Sequence, residues 1–126
     1  MEKIIISTDK APAAIGPYSQ GVRVGNMLFI SGQGSVNAIS GEFINTEVKK
    51  ATIQVIENIK AILEEAGSSL DKVVSVTIVL ADEDDFAGMN EEWLKWFPLN
   101  PPARQGAKLP ARIPGLKVSI AAIAEA

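Results

Sequence analysis

Between Thr46 and Leu80 the hydrophobic period of this chain switches from that of a helix to that of a strand. Val48, Ala51, Val55, Ile59, Ile62, Leu63 and Ala66 recur at the spacing of one face of an amphipathic helix running from Thr46 to Ala66. Asn45 or Thr46 is placed to cap its start, and Gly67 falls where a left-handed C-terminal cap belongs. Val73 to Leu80 is then rich in β-branched residues. Val74, Val76, Ile78 and Leu80 read as core-facing, with Ser75 and Thr77 on the other side. A helix feeding a half-buried strand restricts the chain to layers of helix on sheet.

The flanking segments extend this pattern. Ile4 to Ser7 is a short β-prone start, and Ala11 to Pro17, with two prolines and a glycine, is irregular. Ser19 to Val24 and Met27 to Ser31 flank Gly25-Asn26, a two-residue hairpin turn. Gly32 to Gly41 reads as loop. Asp82 to Asp85 opens a second helix, with Phe86, Met89, Trp93 and Phe97 on one stripe and Pro98 ending it. Ala103 to Leu109 and Leu116 to Ala124 are the last strands, separated by Pro110 and Pro114. The order ββαβαββ predicts a single α+β domain over residues 1–126, a mixed sheet with both helices on one face. The last strand is apolar on both sides. Val118, Ile120, Ala122 and Ala124 lie on one, Ala121 and Ile123 on the other. Two helices cover only one face, so the chain is expected to self-associate.

Composition narrows the chemistry. With no cysteine there is no disulfide, thiolate nucleophile or iron–sulfur cluster, and with no histidine there is no imidazole base or ligand. Chemistry is left to Arg, Lys, Tyr, carboxylates, hydroxyls, backbone groups and water. A net charge of −3 argues against a nucleic-acid face. The apolar runs are too short for a signal peptide or a membrane span, so a cytoplasmic protein is expected.

Most local motifs have ordinary readings. Asp82-Glu83-Asp84-Asp85 sits where a helix N-terminus attracts carboxylates, and no second acidic cluster suggests a metal. Gly32-Gln33-Gly34 lacks the third glycine and following helix of a dinucleotide loop. Ser7-Thr8-Asp9-Lys10 matches Ser-x-x-Lys without its partner motifs. Trp93 lies on the apolar stripe and Trp96 off it, with no basic groove for stacked bases. Arg104 differs. It enters a strand behind Pro101-Pro102-Ala103, which would place a guanidinium repeatably, and guanidinium is the group that grips a carboxylate bidentately.

Several separated motifs resemble the Rid (YjgF) family. They are Ala11-Pro12-Ala13-Ala14-Ile15-Gly16-Pro17-Tyr18-Ser19-Gln20, Gly25-Asn26-Met27-Leu28-Phe29-Ile30-Ser31-Gly32-Gln33, Gly41-Glu42, Glu57-Asn58-Ile59-Lys60, Asp85-Phe86 with Met89-Asn90, and Pro102-Ala103-Arg104. They follow in order and span essentially the whole chain. The resemblance implies a chorismate-mutase-like α+β subunit in a homotrimer with small-molecule clefts between subunits. It implies hydrolysis of reactive imino acids, 2-iminopropanoate and 2-iminobutanoate, to 2-keto acids and ammonia, with no cofactor and no metal. By the same resemblance Arg104 would clamp the substrate carboxylate and Tyr18 would wall the pocket. Ser31 and Gly32 would line it, Asn90 would offer an amide, and the backbone at Gly106 would face the imine.

The departures are specific. Where many relatives carry a water-orienting glutamate in the last strand, this chain has Ala121, whose methyl cannot accept a proton. Gln105-Gly106-Ala107-Lys108-Leu109-Pro110 replaces a β-branched and acidic run, and Gly34-Ser35 an Ile-Pro pair. A branch acting on aminoacrylate-type substrates is also aliphatic at the glutamate position. Two readings therefore stand: an imine deaminase, or a non-catalytic carboxylate-binding or regulatory trimer. A third, ribonuclease activity, is opposed by the charge and the missing histidine.

Overall fold

The switch of period becomes a helix followed by a strand, as the sequence predicts. The computed structural model describes residues 2–44, 47–109 and 113–126. In chain order the elements are β1 (Lys3–Ile6), β2 (Gly21–Val24), β3 (Met27–Gln33), α1 (Val48–Glu65), β4 (Val73–Leu80), α2 (Phe86–Trp96), β5 (Ala103–Lys108) and β6 (Val118–Glu125). The expected caps Asn45 and Thr46, and Pro110 between the last strands, lie outside the described residues. At the other end of α1, Gly67 adopts φ +80°. Its N–H donates to the Glu64 carbonyl, and that of Ser68 to the Leu63 carbonyl. These two bonds form a Schellman cap, which satisfies the last carbonyls.

The strands form one sheet in the order β1-β2-β3-β6-β4-β5. The β-prone start pairs with β2 as an edge strand, so the first hairpin gains a third member. Gly25 alone of the two turn residues takes positive φ, +60°, which suits a type II′ hairpin. Only β4 and β5 run parallel, because the chain crosses between them through α2. α1 packs on β3 and β6 and against α2. Facing these helices, Leu28, Ile30, Val76, Ile78, Leu80, Val118, Ile120, Ala122 and Ala124 are buried. The opposite face carries Phe29, Ser31, Ser75, Thr77, Val79, Ser119, Ala121 and Ile123, half-buried or exposed. The last strand is thus apolar on both sides, as expected, and one side is uncovered within a chain.

Three residues depart from the periodic reading. Val74 is 41% exposed, whereas Val73 is buried. Val73 pairs with Ala124 and Ser75 with Ile123, so a bulge at Val74 shifts the alternation by one. Phe86 is half exposed, because the first turn of α2 overhangs the sheet edge. Trp96, although off the stripe, is half-buried, and its Nε1 donates to Glu92 Oε1 at 3.3 Å. The acidic run caps as predicted, one turn early. Asp82 Oδ1 accepts from the Asp84 N–H at 2.9 Å and opens a 3-10 turn over Glu83–Asp85.

The two helices pack closely at Gly88. A Cβ there would stand 2.6 Å from Val48 Cγ1. Beside this contact Lys49 Nζ reaches Glu91 Oε2 at 2.6 Å. The shared hydrogen bond, then the opposite charge, holds the Glu91 carboxyl below its usual value and the Lys49 ammonium above its own. The Glu91 contribution is present above the unfolded carboxylate pKa and lost as pH falls through the folded one. The Lys49 contribution is present below the unfolded lysine pKa and lost as pH rises through the folded one. Both groups are exposed, so salt screens the pair.

Alanine at a helical glycine ordinarily gains about 1 kcal/mol, but overpacking costs about 1–3 kcal/mol. Gly88→Ala is expected to lower stability by about 1 kcal/mol in urea unfolding. In a Val48→Ala background the same change becomes neutral or stabilising.

Candidate active site

Strand β5 presents its residues by the alternation of the sheet. Arg104, Gly106 and Lys108 lie beside Val76, Ile78 and Leu80, all buried under the helices, and so point to the helix side. There α2 holds the Arg104 guanidinium from three directions. Its Cζ lies 5.8 Å from the Phe86 ring centroid and 5.9 Å from that of Trp93, within cation–π range. Its Nη1 donates to Asn90 Oδ1 at 2.7 Å. Trp93 is itself stacked on Phe97, centroids 4.2 Å apart, so the surface behind the cation is fixed. A guanidinium has five N–H donors, and one bond to Asn90 leaves a fork for an incoming anion.

The guanidinium stands over a cleft of about 480 Å³. Ile78, Leu80 and Met89 form its apolar floor and Phe86 a wall. The backbone of Gln105, Gly106 and Ala107 runs along one rim, with Lys108 and Glu83 completing it. Phe86 therefore leaves the core stripe to shape the cleft. The sequence reading missed this role, and also those of Glu83 and Lys108. Lys108 follows Arg104 at the strand's own alternation, a signal the sequence held, whereas Glu83 and Phe86 reach the cleft from the start of α2, which only the tertiary structure reveals.

Of the predicted site residues, the chain brings together Arg104, Asn90 and Gly106 and leaves Tyr18, Ser31 and Gly32 elsewhere. β3 is separated from β5 by β6 and β4, roughly 14 Å at the usual strand spacing. Ser31 also faces the uncovered side of the sheet. It sits in a bulge. Ile30 pairs with Ala122 and Gln33 with Ile120, so Ser31 and Gly32 together oppose Ala121. Ser31 Oγ donates to the Ser19 carbonyl at 2.5 Å. A Cβ at Gly32 would come within 3.0 Å of Ser119 Oγ. Tyr18 is half exposed on the proline-bearing segment.

Two buried amides order this second group. Gln20 Nε2 donates to the carbonyls of Thr8, Ala11 and Pro12, and its Oε1 accepts from the Thr8 N–H at 2.7 Å. The irregular segment leading to Tyr18 is thereby pinned. Asn58, on the buried face of α1, donates through Nδ2 to the carbonyls of Gly34 at 3.2 Å and Val36 at 2.9 Å. Its Oδ1 accepts from Gln54 Nε2 at 2.9 Å. A helix thus holds the loop that leaves Gly32. Both amides lie in the motifs noted above, but their partners are far along the chain and invisible to spacing.

The model of the family described as Endoribonuclease L-PSP matches residues 8–126. The chain belongs to the Rid (YjgF) family. A RutC family protein of Pyrococcus abyssi is 49% identical over 114 residues, 90% of this chain and 89% of that one. A mouse Rid relative named 2-iminobutanoate/2-iminopropanoate deaminase is 42% identical over 120 residues, 95% of this chain and 89% of its own. Among solved Rid structures, Escherichia coli TdcF with bound serine superposes with a TM-score of 0.91 at 36% identity, covering 98% of each chain. The fold is that of the Rid structures, and relatives at about 40% identity carry deaminase names.

Removing the Asn58 amide would orphan two carbonyls in the Rid scaffold. Asn58→Leu is expected to cost about 2 kcal/mol in chemical unfolding. Asn37 is half-buried, and Asn37→Ala, which loses only local bonds within its own loop, is expected to cost well under half of that.

Proposed function

We propose that this chain hydrolyses short 2-imino acids to 2-keto acids and ammonia in clefts between the subunits of a homotrimer. The observation that carries this reading is the Arg104 guanidinium, held by Phe86, Trp93 and Asn90 over a cleft with the Gly106 backbone on its rim. Such a fork binds a planar carboxylate in two charge-assisted hydrogen bonds, worth about 1.5–3 kcal/mol each. The imine carbon then lies beside the exposed backbone of β5, whose carbonyl receives the N–H of the imine.

Water adds to that carbon, its oxygen forming the new C–O bond while the C=N pair moves to nitrogen and takes up the proton that the water loses. The carbinolamine then passes its hydroxyl proton through solvent to the amino group, the C–N bond breaks, and ammonia leaves with the electron pair of that bond as the C=O forms. Binding and alignment supply the acceleration, because the imine is already electrophilic. No histidine or cysteine is required.

The trimer reading draws support from the division of the site. Arg104, Asn90 and Gly106 lie at one edge of the sheet, while Ser31 and Gly32 stand on its uncovered face and Tyr18 is half exposed on the segment that leads to β2. A neighbour packed on that face would set the partner subunit's Tyr18 and the partner subunit's Ser31 against the Arg104 cleft. It would also cover Phe29 and Ile123.

Ala121 favours a second reading, a non-catalytic carboxylate-binding trimer. It lies opposite the Ser31–Gly32 bulge and offers only a methyl where many relatives have an acid.

One experiment separates these readings. Imines are generated in situ from alanine and 2-aminobutyrate by an amino-acid oxidase, and their decay is followed with and without the protein. The wild type is expected to accelerate decay, and Arg104→Met to lose at least about 100-fold in kcat/KM, the scale of a charge-assisted bidentate contact. Keto-acid binding without acceleration would establish the second reading. Light scattering on the same samples is expected to give three times 13.4 kDa for both proteins. A monomer would remove the shared cleft.

A further inference from the structure

We propose that the Arg104 cleft prefers an imino acid bearing a second, distal carboxylate, and that Lys108 receives it; this rests on Arg104 holding the first carboxylate as argued above. Arg104, Gly106 and Lys108 are successive helix-side residues of β5. Along a strand the outer two have Cα atoms about 13 Å apart, a gap that two long side chains narrow to the length of a short diacid. Between them Gly106 presents no side chain. Among the described residues a Cβ there would meet nothing within 4 Å but the Ile78 carbonyl oxygen, at an ordinary 3.4 Å, so the space above Gly106, the lane between the two cations, is open.

The rest of the cleft suits such a ligand. Ile78 and Met89 are buried, and Leu80 is 8% exposed, so the floor under the lane is apolar and fits the methylenes of a diacid. Among the described residues Lys108 makes no ion pair within 4 Å, unlike Lys49, Lys95 and Lys117. A monocarboxylate held by Arg104 leaves it facing water alone. Among the described residues Glu83 is the one acid on the cleft lining, and it opposes a dianion. With the Arg104 charge met by the first carboxylate, the second is drawn by Lys108 against the repulsion of Glu83, so removing Glu83 should strengthen its binding.

The stable products serve as probes. Binding of 2-oxoglutarate and 2-oxobutanoate is measured by calorimetry, alongside hydrolysis of the imines made from glutamate and 2-aminobutyrate. The wild type is expected to bind 2-oxoglutarate about tenfold more tightly, the effect of one charge-assisted contact. Lys108→Met should bring that ratio close to one, Lys108→Arg should keep it, and Glu83→Gln should raise it. The ratio of kcat/KM for the two imines should follow the same order. If 2-oxobutanoate binds and its imine is hydrolysed while Lys108→Met leaves the ratio unchanged, this inference falls and the deaminase reading stands. If neither keto acid binds and no imine is hydrolysed, both fall together.

Discussion

Two helices cannot cover both faces of a six-stranded sheet, and the rest of the structure follows from the face they choose. α1 brings Val55, Ile56, Ile62 and Leu63, all essentially fully buried, onto β3 and β6. Each such side chain contributes about 1.5–3 kcal/mol of burial, so the position of α1 over the sheet centre is strongly determined. α2, tied to α1 at Gly88 and Val48, then reaches only as far as β5. Arg104 stands where that cover ends. Its charge stays in water while its guanidinium plane meets two aromatic rings.

The uncovered face has a different character. Phe29 and Ile123 are paired neighbours there, and Ser31, Thr77 and Ala121 lie among them. An apolar strip with small polar residues suits contact with a second protein surface better than contact with water. The Ser31–Gly32 bulge belongs to this face and breaks the pairing with β6 opposite Ala121. Bulges re-aim side chains where regular pleating would place them wrongly, and this one turns the Ser31 hydroxyl toward the Ser19 carbonyl. Arg104 and Gly106 thus lie on the helix side of the sheet, and Ser31 and Gly32 on the other.

The periodic elements were legible because burial imposes its period directly on the residues. The stripe of α1 and the buried side of β6 follow this rule, while the Gly25-Asn26 turn and the Gly67 cap were legible from the positive φ that glycine allows. What escaped were residues whose role depends on partners far along the chain. Ile56 and Asn58 lie beside the stripe of α1 and are both buried, and Asn58 binds the carbonyls of Gly34 and Val36 in the loop on that flank. Phe86 shares the period of Met89 and Trp93 but sits beyond the sheet edge, so the same spacing yields an exposed ring. Val74 was misread because a single extra residue inverts the alternation, and nothing in a run of β-branched residues marks where such a residue falls.

The sequence by itself determined the element types, their order, the sidedness of the sheet and the Rid motifs, because local period, turn chemistry and residue identity are properties of neighbours in the chain. Tertiary structure alone decided which strands adjoin, and with that which side chains share a cleft. Arg104 meets Asn90 only because β5 lies parallel to β4 under the end of α2. Arg104 and Ser31 stand apart because β6, from the far end of the chain, inserts between β3 and β4. Strand order is settled by the burial of whole surfaces against one another, and no short window of sequence contains both surfaces.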